Sequence, residues 1–499
     1  MSLPILIQSV LIPILSAPLV YMLGRKLSYN VGWLAFAILS YSTALILAVS
    51  GAGYIESYPW IPGMGWSIGF KLDGLSIPFA SNVAILSTVI AIYSMPYMKH
   101  RVGDEPEDYG SYYALYLLYV AGMLGTVLAT DLIEFYIFYE LMLIPSYILI
   151  ARWGYGERER IAFMYFLWTH VGALILLASI TLVYWITGTT SIEGVKAMLR
   201  SVGIPFTLEV GVAVAMIIGF LVKIAVLGLH IWLPHAHAEA PTPISALLSP
   251  AMIGIGWYGV IRMALGFFPR FFQVYSLPLA VWAFLTIIYG GLMALSQDDM
   301  KRLLAYSSIS QMGYMFFGVA NLSIVSILGS ILIYLSHGLC KAVLFMVSGI
   351  LIHEAGTRRI SELGGLASRM PITTIVAIIG FLGLAGVPPL LGFWGELYIF
   401  LGSIYTVLKP IGGLDTIRFI VSILTVTSAV TLTAGYGLWT VKRVFFEEIS
   451  KAAEESHEPP SLMLAPLLVL AVLAIILGIY PTILMNIVSP VIEGLILAS

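Results

Sequence analysis

The sequence predicts an all-α, polytopic membrane protein. Hydrophobic residues make up 60% of the chain and charged residues only 10%, and the apolar runs recur at the length of a bilayer crossing. A soluble domain carries roughly 25% charged residues, so a chain this poor in charge is built to face lipid. A mean hydropathy of +0.98 agrees.

A crossing takes about 20 predominantly apolar residues, and the chain divides into about fourteen such spans. They fall near 3–24, 30–51, 73–95, 110–129, 131–150, 160–187, 208–236, 243–267, 275–296, 302–320, 323–352, 371–407, 417–445 and 461–486. Proline and glycine interrupt the seventh, at Pro234, and the twelfth, at Pro388 and Pro389. The apolar run from Leu3 has no basic stretch before it and reads as a first span, not a secretory signal. The acidic tract from Glu447 to Pro460 reads as a solvated linker, and a short amphipathic tail is expected after Pro490.

Composition also excludes several chemistries. One cysteine, Cys340, can neither hold an iron–sulfur cluster nor close an internal disulfide. No P-loop or dinucleotide fingerprint is present, and no stretch is long and polar enough for a soluble domain. No cofactor is expected in this chain, so any redox groups belong to partner subunits.

Lys and Arg number 15 in the loops after odd-numbered spans and 7 in those after even-numbered ones; Lys223 and Lys341 lie within spans. The positive-inside rule then puts both termini on the outer face and the basic loops, 152–160 and 357–369 among them, inside.

Internal duplication is faint but present. The segments DLIEFYIFYELMLIPSYILI, from Asp131, and MKRLLAYSSISQMGYMFFGV, from Met300, open equivalent spans about 170 residues apart. Lys223 and Glu396, on the two interrupted spans, are 173 residues apart. Equivalent helices are five spans apart, an odd number, so the repeats are expected to be inverted. Broken helices at matching places of two inverted repeats are a sequence-level pointer to a transport site. The expected division is 1–109 (helices 1–3), 110–267 (first repeat), 268–445 (second repeat) and 446–499 (polar linker and last helix).

Ionisable residues within the bilayer cost several kcal/mol and mark functional sites. Four stand out: Glu140 in FYELMLIP, Lys223 in FLVKIAVLGLHIWLP, Lys341 in SHGLCKAVLFMVSG and Glu396 in GVPPLLGFWGELYIF. His230, two turns beyond Lys223, and His337, one turn before Lys341, can relay protons near neutral pH; His235 and His237 extend the set. A single Glu–Lys pair could be a structural clamp, but four charges with two broken helices favour a conduction path. The HAH spacing of His235 and His237, without a Cys or Asp cluster, argues against a metal site. Most tyrosines and tryptophans are expected at the interfaces or along the path.

Two segments carry a specific resemblance. GLHIWLPHAHAEAPTPISALLSP (228–250) and DDMKRLLAYSSISQMGYM (298–315) resemble signature segments of the proton-conducting antiporter family. That family comprises the L-, M- and N-type subunits of complex I and relatives in Mrp-type antiporters and membrane-bound hydrogenases. The resemblance covers roughly residues 70–445 and implies fourteen helices with two inverted five-helix repeats, each containing a broken helix. It also matches Glu140 to the family's carboxylate, Lys223 to the lysine of the first broken helix, and Glu396 to the ionisable residue of the second. Glutamate at that last place favours the M type, or chain 4. Two departures stand out: Gly254 occupies the position of the M-type central lysine in the eighth helix, and Lys341 supplies a central lysine from the eleventh.

The implied function is proton translocation within a complex I-type respiratory complex of a prokaryotic inner or plasma membrane. Glu140 and Lys223 would take protons up from the cytoplasm, their contact acting as the switch, and Lys341 and Glu396 would pass them outward. Flavin, iron–sulfur clusters and quinone are implied in partner subunits, beside other antiporter-like chains. The alternatives are a subunit of a cation/proton antiporter or membrane-bound hydrogenase, and a structural scaffold with an inactive channel.

Overall fold

The computed structural model describes residues 4–51, 53–61, 63, 66–103, 105–408 and 415–497. Residue 3 of the expected first span and the C-terminal Ser499 lie outside the described residues. Eleven described segments are long and apolar enough to cross a membrane, and one of them, Ile5–Val49, holds two helices.

The first helices are α1 (Ile5–Leu27), α2 (Val31–Val49), α3 (Ser76–Val102), α4 (Pro106–Leu128), α5 (Leu132–Trp153) and α6 (Arg158–Thr187). The seventh predicted span is the pair α8 (Phe206–Ile224) and α9 (Trp232–Glu239), preceded by the short α7 (Ile192–Val202). The eighth runs through Thr242–Leu265 as α10 (Thr242–Leu247) and α11 (Ile253–Gly259), each followed by a π-helical stretch. Next come α12 (Pro269–Leu295), α13 (Met300–Ala320) and α14 (Ile324–Glu354). The twelfth span is the pair α15 (Pro371–Leu384) and α16 (Leu391–Leu408). The chain closes with α17 (Asp415–Val441), α18 (Lys451–Glu454), α19 (Ser461–Ile479) and α20 (Thr482–Leu497).

Side chains are distributed as lipid requires. Leu15, Trp185 and Ile375 stand exposed on the outside of the bundle, whereas α14 is buried along nearly its whole length. It packs against α3, α10, α13, α15, α16, α19 and α20, which makes it the central post.

Four features differ from the sequence reading. Two strands, β1 (Tyr54–Ile61) and β2 (Trp66–Leu72), pair antiparallel as a hairpin. Its Glu56 accepts hydrogen bonds from the first amides of α1, Leu6 N at 2.9 Å and Ile7 N at 3.0 Å, meeting donors that a helix start leaves orphaned. The amphipathic α7, with Ile192 and Val195 buried, is too short for the span pattern to reveal. Pro490 lies inside α20, and the described residues after it continue that helix. Finally, the first break falls at 225–231, and Pro234 sits in the first turn of α9, where proline is tolerated. The turn begins at Ala225, whose φ of 63° is left-handed and disfavoured for a residue with a Cβ. Pro388 and Pro389 do lie in the second break, between α15 and α16.

An opened helix inside a membrane leaves backbone carbonyls that must find partners. Three tryptophans supply them at the first break: the indole N–H groups of Trp232, Trp282 and Trp168 donate to the carbonyls of Val222, Leu227 and Leu229, each at 2.9 Å. At the second break Gln311 donates to Leu384 O at 3.3 Å and Ser336 to Gly383 O at 3.2 Å.

The helix starts at Asp131 and Asp299 are built alike. Each aspartate accepts from two amides of the helix it caps, α5 or α13, and each forms an antiparallel bridge to a later loop, at Ser191 and Arg359 respectively. The first unit lies on the hairpin face of the bundle. The second lies on the opposite face, where loops 154–157 and 355–362 meet.

Candidate functional site

Most of the ionisable residues singled out above are buried in the helical bundle, but not always beside the partners the sequence suggested. Glu140, in mid-α5, lies 3.2 Å from Nδ1 of His170 on α6. Its second carboxylate oxygen has no protein partner among the described residues. Lys223 is 1% exposed and lies at the end of α8, its ammonium 4.5 Å from the centroid of the Tyr139 ring. Glu140 acts on it electrostatically, but no direct Glu140–Lys223 ion pair is formed among the described residues. His170 was missed by sequence reasoning although it was legible: a histidine in a strongly apolar span, 30 residues after Glu140.

His230 lies in the break, not on the helical face of Lys223. Its Nε2 is 3.0 Å from the Tyr289 hydroxyl and its Nδ1 accepts from Gly228 N at 3.2 Å. His237 is fully buried in α9, stacked on Phe345 at 5.0 Å, with neither ring nitrogen hydrogen-bonded among the described residues. His235, two residues earlier, is exposed and points away from the interior. Its place in an internal relay is therefore not supported by the geometry.

On α14, Lys341 is fully buried and donates to Leu304 O at 2.7 Å and to Ser307 Oγ, both on α13. His337, one turn earlier, is buried with both nitrogens lacking partners among the described residues. Glu396 on α16 is 7% exposed, and its Oε1 likewise has no partner among the described residues. It faces Gly386 in the break, where a Cβ would strike the carboxylate. Gly254 does similar work in the eighth span: any side chain there would collide with the ring of Tyr334, which stacks on Phe79 at 4.4 Å. The place expected to hold a lysine in an M-type chain is thus filled by a tyrosine from α14, the helix that also carries Lys341.

Buried polar atoms that no protein group satisfies are met by water in most proteins. Here such atoms belong to Glu140, Lys223, His237, His337 and Glu396, which spread through both broken-helix regions and the central post. Among the described residues no group of three or more His, Cys, Asp or Glu is placed to hold a metal ion.

Fold and site together define a polytopic helical subunit with protonatable groups at membrane depth. The chain belongs to the NADH:quinone oxidoreductase/Mrp antiporter transmembrane family, which matches residues 129–411. Residues 60–112 match the family described as NADH-ubiquinone oxidoreductase (complex I), chain 5 N-terminus. Among curated relatives, the F(420)H(2) dehydrogenase subunit M of Methanosarcina mazei is 32% identical over 89% of this chain and 85% of its own. The NADH-quinone oxidoreductase subunit M of Rhodobacter capsulatus is 31% identical over 95% and 92%. A chain of respiratory complex I from Thermus thermophilus superposes with a TM-score of 0.86 at 25% identity, covering 98% of this chain and 99% of that one.

Proposed function

We propose that this chain is a proton-translocating, antiporter-like subunit of a redox-driven complex of the complex I type, M-like in character. Electron transfer occurs in partner subunits that hold flavin, iron–sulfur clusters and quinone; this chain moves protons and carries out no bond chemistry of its own. The relatives named for NADH-quinone oxidoreductase and F(420)H(2) dehydrogenase support the assignment. The observation that carries it is the set of buried ionisable groups with unmatched polar atoms. A scaffold would gain by replacing them with apolar residues.

In this reading, residues 110–267 and 268–445 form two inverted repeats, for which the matching Asp131 and Asp299 units are the support. Protons taken up from the cytoplasm pass Glu140, His170 and Lys223, cross the centre by way of His237, His337 and Lys341, and leave past Glu396. Both termini face outward. Glu140 and Lys223 communicate through space and through the ring of Tyr139, with His170 holding the carboxylate when Lys223 does not.

Purified complex carrying Lys223→Met provides the test. Flavin and iron–sulfur absorbance in the parent complex, with proton uptake in vesicles that is lost in the variant, is the expected result. A parent complex without redox groups, or undiminished uptake in the variant, would overturn it.

A further inference from the structure

We infer that three basic side chains, Lys301, Arg101 and Arg358, occupy a carbonyl cage that would otherwise take an alkali cation, and so keep Na⁺ out of the proton route. The inference rests on the proton-translocating reading and specifies how that route discriminates between ions.

The cage lies where α5 and α9 end together. Tyr155 N donates to Glu239 O at 2.7 Å, fastening the two helix ends. Carbonyl oxygens at a helix C-terminus carry the negative end of the helix dipole, and such ends, opened inside a membrane protein, coordinate Na⁺ in transporters. Here three of these carbonyls hold basic side chains instead. Ala238 O accepts from Arg358 Nη1 at 2.5 Å, Gly154 O from Arg101 Nη2 at 2.5 Å, and Ala240 O from the Lys301 ammonium.

All three basic side chains also surround one aromatic ring. Arg101, Lys301 and Arg358 lie 4.5, 5.3 and 6.0 Å from the centroid of Tyr155. Two carboxylates complete the surroundings, Asp299 at 2.7 Å and Glu239 at 3.7 Å from Arg358. Carbonyls, carboxylates and an aromatic face together are a hard-oxygen cation site, and its charge is already supplied by the chain.

Position gives the cage its role. A cavity of about 920 Å³, lined by Tyr155, Glu239, Asp299, Arg302 and Arg358 among others, opens above it. Beneath it Lys301 is fully buried and, with Lys341, acts electrostatically on His237. Arg358, which lines this cavity, holds Ala238 O, the carbonyl of the residue next to His237. A tethered ammonium or guanidinium repels a metal cation and takes its ligands, while protons pass along hydrogen bonds.

Vesicles containing the assembled complex, energised by its own electron donor, test this with Na⁺ and choline as alternative salts. The parent should pump protons equally well in either. Lys301→Met frees Ala240 O and removes one basic group, so its pumping should fall in Na⁺ and recover in choline, whereas Lys301→Arg should remain indifferent. Arg358→Gln frees Ala238 O and both carboxylates, and carries the same expectation where Lys301→Met lowers the amount of complex. Variants without the basic group that are as indifferent to Na⁺ as a proton-pumping parent would overturn the inference alone, as would an equal Na⁺ sensitivity in Lys301→Arg. A parent that moves Na⁺ in place of protons would overturn the reading beneath it.

Discussion

Glu140 and His170 join α5 to α6 through a contact of 3.2 Å, while the Lys223 ammonium rests 4.5 Å from the ring of Tyr139, the residue just before Glu140. The carboxylate thus has a near partner and a farther one on different helices. A proton reaching Glu140 or His170 changes the field at Lys223 without any helix moving.

His170 is accordingly predicted to matter as much as Glu140. His170→Leu should cut proton pumping on the order of 100-fold, the loss typical of removing one positioned proton-transfer group. His170→Gln keeps a hydrogen bond but no titratable group, and should pump little better. Pumping by both variants at the parent rate, measured in vesicles with matched amounts of complex, would remove His170 from the route.

Lys341 separates charge from hydrogen bonding. Its ammonium is held by Leu304 O and Ser307, so Ser307→Ala removes one contact and should slow pumping by about 10- to 100-fold; a hydrogen bond to a charged group contributes about 1.5–3 kcal/mol. Lys341→Met should abolish it. Lys341→Arg should fail too, because a guanidinium does not give up its proton and does not fit the same hole. Proton uptake alongside electron-transfer rate reads all three.

The tie between the hairpin and the eighth span gives a stability prediction. Asp73, between β2 and α3, pairs with Arg262 and lies 3.3 Å from Lys71. Burial raises its pKa, but the charge and hydrogen bond of Arg262, helped by Lys71, outweigh that and hold the carboxyl well below its ordinary value. A folded value below the unfolded one means the pair's contribution is complete above pH ~3.9, the ordinary aspartate value. It fades only as pH falls below that toward the depressed folded value. Asp73→Asn leaves a buried guanidinium unpaired and should destabilise the region by about 3–5 kcal/mol, whereas Asp73→Asn with Arg262→Met should recover most of that. Thermal melting of the detergent-solubilised complex would show it; an unchanged melting temperature in the single variant would contradict the pairing.

Much of this was legible in the sequence because lipid imposes long apolar runs. The helices, the second break at Pro388 and Pro389, and the depth of Lys223, Lys341 and Glu396 all follow from hydropathy and a few charges. What was not legible depends on contacts between distant segments. The first break could not be placed from Pro234, since Ala225 makes the turn and tryptophans on three different helices complete its hydrogen bonding. His235 and His237 look equivalent in HAH, yet α9 turns one outward and the other inward. The hairpin was hidden because its Glu56 and Lys71 read as loop charges, when they fasten the starts of α1 and α7: Glu56 on the α1 amides, Lys71 on Glu193 at 3.1 Å.

Orientation has its own test. Loops 154–157 and 355–362 share a face of the bundle opposite the hairpin. With the basic loops inside, Thr357→Cys should react with an impermeant maleimide only from the cytoplasmic side, and Ser57→Cys only from the outer side. The reverse pattern would invert the direction of transport proposed above.

The measurement that bears most directly on the account is proton uptake in membrane vesicles carrying Glu140→Gln, with electron transfer followed in the same preparation. Glutamine keeps the size and polarity of the side chain and removes its charge, so His170 and Lys223 lose their shared partner while the packing of α5 is retained. The account predicts that pumping and coupled electron transfer both fall sharply, and that Glu140→Asp retains much of each. Full pumping in Glu140→Gln, with the complex assembled in normal amount, would contradict it.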